Sequence, residues 1–187
     1  TDTIQDFSDL PPGELEGRLV RVQGGFEDTD TTYWVQFSGN VYRETVGYNE
    51  QRRLTASTMP HILVKTGPGT FEFRQNDWNP RPVGDSESNP DPSFVGSPIN
   101  SMFLFKGRLG FLAEENMILS ATALFEDLYL TTVIQQLATD PIDVAAATGR
   151  VSTLRHAVPF SDELLLFSDR VQFRVTSGQV LSAETVG

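Results

Sequence analysis

The sequence predicts an all-β fold of antiparallel strands, and three observations carry that prediction. Aromatic and β-branched residues gather in short runs separated by Gly, Asn, Asp and Ser, the punctuation of strands and turns. A pattern of such runs recurs at an offset of 55 residues in the second half of the chain. Between the two halves, residues 76–98 hold five prolines (Pro80, Pro82, Pro90, Pro92 and Pro98), which delete backbone donors and fix φ, so a long loop is expected there.

In chain order, Leu15, Leu19, Val20 and Val22 flank Arg18 and Arg21 and read as a strand stopped by Gly24-Gly25. Segments 33–37 and 41–46 read as a hairpin across the loop Ser38-Gly39-Asn40, where positive φ is cheap. After the Pro-rich loop, Met102 to Phe105, Arg108 to Ala113 and Met117 to Ser120 lie over Ala157 to Phe160, Glu163 to Ser168 and Gln172 to Val175. Each triplet reads as one antiparallel unit, and two units at this offset suggest partial β-propeller blades; two ordinary hairpins of a β-sandwich are the plainer alternative. Phe105, Leu109, Phe111, Phe160, Leu164, Leu166 and Phe173 are the expected core of these units. Helix is minor: Leu124 to Leu137 allow one short helix before Asp140-Pro141, and Asp143 caps a further turn at Ala145-Ala146-Ala147. The expected organisation is an N-terminal β segment (1–75), the loop (76–98) and two blade units (99–187).

The chain has 187 residues, 39% of them hydrophobic and 21% charged, with 13 Phe, a composition that buries a core rather than staying disordered. Its net charge of −11 repels phosphate, which excludes an ordinary nucleic-acid-binding domain. Residues 1–30 concentrate that charge, with eight acids against Arg18 and Arg21. The absence of cysteine removes disulfides, thiolate metal sites and thiol catalysis. No apolar run reaches the roughly 20 residues of a membrane span, and the missing initiator Met suggests processing or a fragment.

Candidate chemical groups are few. Asp140 and Asp143, with Glu126 and Asp127 nearby or with Glu115, are the carboxylates that could serve acid–base work on a glycosidic bond, but turn and capping roles suit Asp140 and Asp143 better. His61 and His156 lie far apart in the chain without a metal or triad spacing and read as structural. Glu27, Asp28 and Asp30 lack the calcium-loop pattern, and Gly67-Pro68-Gly69 lacks the Lys and Ser/Thr of a phosphate cradle. Arginine outnumbers lysine 12 to 2, which favours bidentate pairing across interfaces. No catalytic, cofactor-binding or metal residue is therefore assigned.

Several short motifs in collinear order resemble one family. They are Phe7 to Pro12, Tyr33 to Thr45, Thr58 to Val64, Trp78-x-x-Arg81-x-x-Gly84-Asp85 with Asn89 to Gly96, Arg108 to Leu112, Asp140 to Ala145, and Ala157 to Phe160 leading to Leu165 to Asp169 and Gln172-Phe173. Together they are similar to the tail tubular protein B, or tail nozzle, family of short-tailed phages. The resemblance implies a non-enzymatic virion protein of the phage tail, a homo-hexamer that meets an adaptor ring and tail fibres and lets duplex DNA pass without binding it. It also implies that this chain is an internal piece, because family members are much longer. From a different class, the competing reading is a propeller-type carbohydrate-active enzyme acting on host polysaccharide through Asp140, Asp143 or Glu115.

Overall fold

The computed structural model describes residues 2–24, 32–146 and 151–176. It is all-β, and the described residues hold one short 3₁₀ turn, Phe7–Asp9, and no α-helix. Strands β1 (Asp2–Ile4), β2 (Leu19–Val22), β3 (Tyr33–Ser38) and β4 (Val41–Thr45) form one sheet in sequence order. Next come a separate two-stranded ribbon, β5 (His61–Gly67) with β6 (Thr70–Gln75), and a sheet of β7 (Ser101–Phe105), β8 (Arg108–Ala113), β9 (Asn116–Leu119) and β10 (Ile142–Ala145). The last sheet is a meander of β11 (Leu154–Phe160), β12 (Glu163–Ser168) and β13 (Gln172–Val175). Among the described residues every strand pairing is antiparallel except β1 with β2, and no sheet closes into a barrel.

The predicted hairpin forms as β3 and β4, because Gly39 and Asn40 both take positive φ (59° and 66°) and close a two-residue turn between Ser38 and Val41. Tyr33, Val35 and Phe37 alternate inward along β3. With Val20 and Val22 the first two of these build the N-terminal core cluster.

The sheet of β7 to β10 is covered on both faces. One face sends Phe103, Phe105, Leu112, Met117 and Leu119 into a cluster shared with Leu154, Leu164, Leu166 and Val175 of the last meander. The other sends Phe111, Ala113 and Ile118 against Leu54, Met59, Trp78, Phe94, Leu128 and Tyr129. The Pro-rich loop therefore supplies part of the core: Trp78 and Phe94 meet Phe111 at ring-centroid distances of 6.2 and 5.0 Å.

The 55-residue offset corresponds to identical strand registers. Phe105 pairs with Arg108 and Phe111 with Ile118 in the first unit; Phe160 pairs with Glu163 and Leu166 with Phe173 in the second. Of the seven expected core residues, Phe105, Phe111, Leu164 and Leu166 are buried, while Leu109 and Phe173 are half-buried. Phe160 departs from the expectation: it is 65% exposed and stands outside the core cluster that Leu164 and Leu166 join.

Two helical expectations fail, each for its own reason. Leu124 to Leu137 form turns and bends because side chains from elsewhere take the backbone donors a helix would use: Asn89 Oδ1 accepts from Leu130 N, Glu44 from Val133 N, and Asp140 from Thr131 N and Leu137 N. Asp143 caps no helix; it sits in β10 opposite Ile118, and Ala145 pairs with Asn116. Ala147, Gly25 and the acids Glu27, Asp28 and Asp30 lie outside the described residues.

Candidate functional site

Residues 78–94 form a densely hydrogen-bonded clasp. Gly84, at φ 77°, accepts from Gly47 N at 2.9 Å and donates to Thr45 O at 3.1 Å, which joins the loop to the end of β4. A Cβ there would meet Ser88 Oγ at 2.8 Å and Val133 Cγ1 at 2.9 Å, so both conformation and space require glycine. Next to it, the Asp85 carboxylate accepts from Trp34 Nε1 at 3.0 Å and from the backbone N–H groups of Glu87 and Ser88 and the Ser88 hydroxyl. Burial pushes this carboxyl up, but these hydrogen bonds together outweigh burial and hold it below the usual carboxylate value.

Arg81 is the clasp's buried charge. Its guanidinium donates to Gln51 O at 2.9 Å and to Asp91 Oδ1 at 2.8 Å and stands over the Tyr129 ring at 5.0 Å. Tyr129 Oη donates to the same Asp91 oxygen at 2.6 Å. Burial raises the phenol's pKa strongly and Asp91 raises it further, so the hydroxyl stays protonated as a donor. Asn89 completes the set, donating to Val83 O and Leu130 O while accepting from Leu130 N.

The candidate acids serve the same architecture. Asp143 accepts from Ser93 N and Oγ at 2.8 and 2.9 Å and from Asn116 Nδ2 at 3.1 Å, tying the loop to β9 and β10. Asp140 holds the turn before β10, and Glu115 accepts from Ser152 N at 2.8 Å. Asp127 accepts from Asn79 Nδ2, and Glu126 O accepts from Asn79 N. Two surface grooves lie near the clasp. The larger, about 980 Å³, is walled by Leu54, Met59, Phe73, Phe94 and Ile99 with Asp91 as its carboxylate. The smaller, about 330 Å³, is bordered by Pro80, Pro82 and Tyr129 with Asp127. Neither joins two carboxylates, the minimum for glycosidic acid–base chemistry. His61 borders the larger groove, its Nδ1 3.0 Å from Met59 O and its ring stacked on Phe73; His156 is exposed on β11. The described residues contain no cluster of three metal-ligating side chains and no helix long and apolar enough to cross a membrane.

What the arrangement can do is mechanical. It fastens two sheets and a loop through buried polar pairs and offers no reactive centre in the grooves described. The clasp is also where the quoted motif falls: Trp78, Arg81, Gly84, Asp85 and Asn89 each hold a specific backbone or ring partner. A profile of the bacteriophage nozzle protein family matches residues 1–187, the whole chain. The chain belongs to that family. Over 188 aligned residues this nozzle-family chain is 42% identical to the tail tubular protein gp12 of Escherichia phage T7, covering 100% of the chain and 24% of that relative. The nozzle-family chain therefore spans about a quarter of the length of the relative it matches, and it is a structural component of the phage tail, a part of the virion.

Sequence reasoning missed Arg108 as a structural centre. Buried at the start of β8, it donates to Ser120 O, Asp140 O and Ala138 O at 2.8, 2.6 and 2.7 Å. Burial pulls its pKa down and the neighbouring Asp140 charge pushes it up. The available signal was an arginine opening an otherwise apolar strand, Arg108 to Ala113.

Proposed function

We propose that this chain is one wall segment of a hexameric tail nozzle through which the phage genome is ejected, with the adaptor ring and tail fibres as neighbours. The whole-chain family match carries the reading. Net charge supports it: at −11 the chain gives a passing duplex little to hold, since every phosphate gripped by Lys or Arg would add a barrier to sliding. Repulsion at physiological salt reaches only about 8 Å, so the acids that matter are those on the lumen wall. Residues 1–75, 76–98 and 99–187 act as a first sheet region, a joint and a pair of propeller-like blades, and the protein has no catalytic role of its own. The polysaccharide-degrading alternative loses ground because Asp140, Asp143 and Glu115 are each committed to backbone donors.

The test is ejection rate against salt in particles carrying Asp→Lys or Glu→Lys changes. Changes on the lumen wall slow ejection and make it salt-dependent, while those on the outer surface leave it unaltered. Tight, salt-sensitive DNA binding by the unmodified assembly overturns the passive conduit. Polysaccharide hydrolysis lost in Asp140→Asn or Asp143→Asn establishes the enzyme instead.

A further inference from the structure

The first sheet has a core of its own. Val20, Val22, Tyr33 and Val35 pack with Ile4, Leu10 and Tyr42, and among the described residues beyond β4 only Val133 joins them. Neither of the other two clusters contains a residue of β1–β4. Apolar burial therefore does little to bind this sheet to β7–β13, and the connection is carried by polar contacts.

Those contacts gather at one end of the sheet and grip it from both sides. Cross-strand partners share a face, so Glu44 stands with Val35 and Thr45 with Trp34, on opposite faces. On one face Glu44 accepts from Thr132 Oγ1 and Val133 N at 2.6 and 2.8 Å; on the other, Trp34 Nε1 donates to Asp85 at 3.0 Å. Between them the backbone of Thr45 and Gly47 meets that of Gly84. The two gripping segments are fastened to each other, since Asn89 exchanges hydrogen bonds with Leu130 and Gly84 lies against Val133. The covalent link out of the sheet, Gly47-Tyr48-Asn49, is a turn with Asn49 at φ 60° and Tyr48 exposed, and Arg81 anchors the chain again from Glu50 to Arg52.

We infer that this end of the sheet is a release joint: β1–β4 leaves the grip as one folded body and swings on Gly47-Tyr48-Asn49 while β7–β13 stay packed. The contacts it breaks exchange protein partners for water and uncover little apolar surface, so the opening lies well below global unfolding in free energy. Because the segments on the two faces are tied together, they let go together. The inference goes beyond the conduit role and does not depend on it.

Native-state hydrogen exchange of the unmodified full-length protein, in a urea series below its unfolding transition and read at single amides by mass spectrometry, tests it. The N–H groups of Gly47, Gly84 and Val133 cross the joint. They are expected to exchange at one common rate, nearly independent of urea and at least about tenfold faster than the amides of the β3–β4 and β8–β9 ladders. Glu44→Gln, which touches only Val133 among the three, is expected to speed all of them by about tenfold. Three unrelated rates overturn the joint, as does a response confined to Val133. Exchange of the three only together with both ladders overturns it as well, because the sheet then leaves only on global unfolding. If the β3–β4 ladder exchanges with them while β8–β9 stays protected, the sheet unfolds instead of swinging, and the proposal falls.

Discussion

Asp85 shows how a single carboxylate makes the joint sensitive to acid. Its pKa is depressed in the folded state by donors from Ser88, Trp34 and Glu87, so its stabilising contribution is complete above the ordinary carboxylate range. As pH falls through that range toward the folded value, the unfolded chain takes up the proton first and the contribution is lost. Urea midpoints measured between about pH 6 and pH 3 are expected to fall less steeply for Asp85→Asn, although that variant starts lower at neutral pH. Arg108 works in the reverse sense, as a donor that carbonyls depend on. Arg108→Met keeps the stem but strands the oxygens of Ser120, Ala138 and Asp140 in the interior, and equilibrium unfolding is expected to register a loss of about 3 to 5 kcal/mol.

Among the elements, the two meanders test each other through one cross-strand pair. Gly110 lies under the Phe103 ring so closely that a Cβ would meet Cζ at 2.3 Å, while the equivalent pair carries Val158 and Leu165. Gly110→Ala is expected to cost about 1 to 3 kcal/mol, and Phe103→Val to recover part of that cost, a non-additivity that a double-mutant cycle of denaturant midpoints measures. These elements were legible because their turns and apolar runs are local. Gly39-Asn40 announced β3–β4, and the spacing of Phe105 and Phe160 announced the repeat, though not that the second of these stays exposed. The ribbon β5–β6 has a local signal of its own, with His61 to Val64 and Thr70 to Phe73 flanking Gly67-Pro68-Gly69, but a Gly-Pro-Gly tripeptide does not by itself distinguish a hairpin tip from a loop. The parallel β1 carries the polar sequence Asp-Thr-Ile and no strand signature at all. The false helix at Leu124 to Leu137 had helical spacing, but its donors were claimed by Asn89, Glu44 and Asp140, the first two far away in the chain.

On the scale of the whole molecule, the clasp was illegible for the same physical reason. Trp34 reaches Asp85, Arg81 reaches Gln51, and Glu44 reaches Thr132 and Val133, pairings that no local pattern encodes. Asp140, Asp143 and Glu115 are landmarks of the structure as acceptors for backbone N–H groups. The Glu44 tie spans 88 and 89 positions to its two donors, at 2.6 and 2.8 Å, and this separation governs the order of events during folding. Hairpins such as β3–β4 and β7–β8 close short loops, whereas the Glu44 connection has to enclose nearly half of the chain before it yields anything. The clasp is therefore expected to close late, after the barrier has been crossed. Glu44→Gln is expected to leave the refolding limb of a chevron nearly unchanged and to raise the unfolding rate, whereas a substitution inside the β3–β4 turn slows refolding. A chain built this way is expected to resist coming apart chiefly through how slowly it opens, because its longest-range lock contributes to that rate and not to the speed of folding.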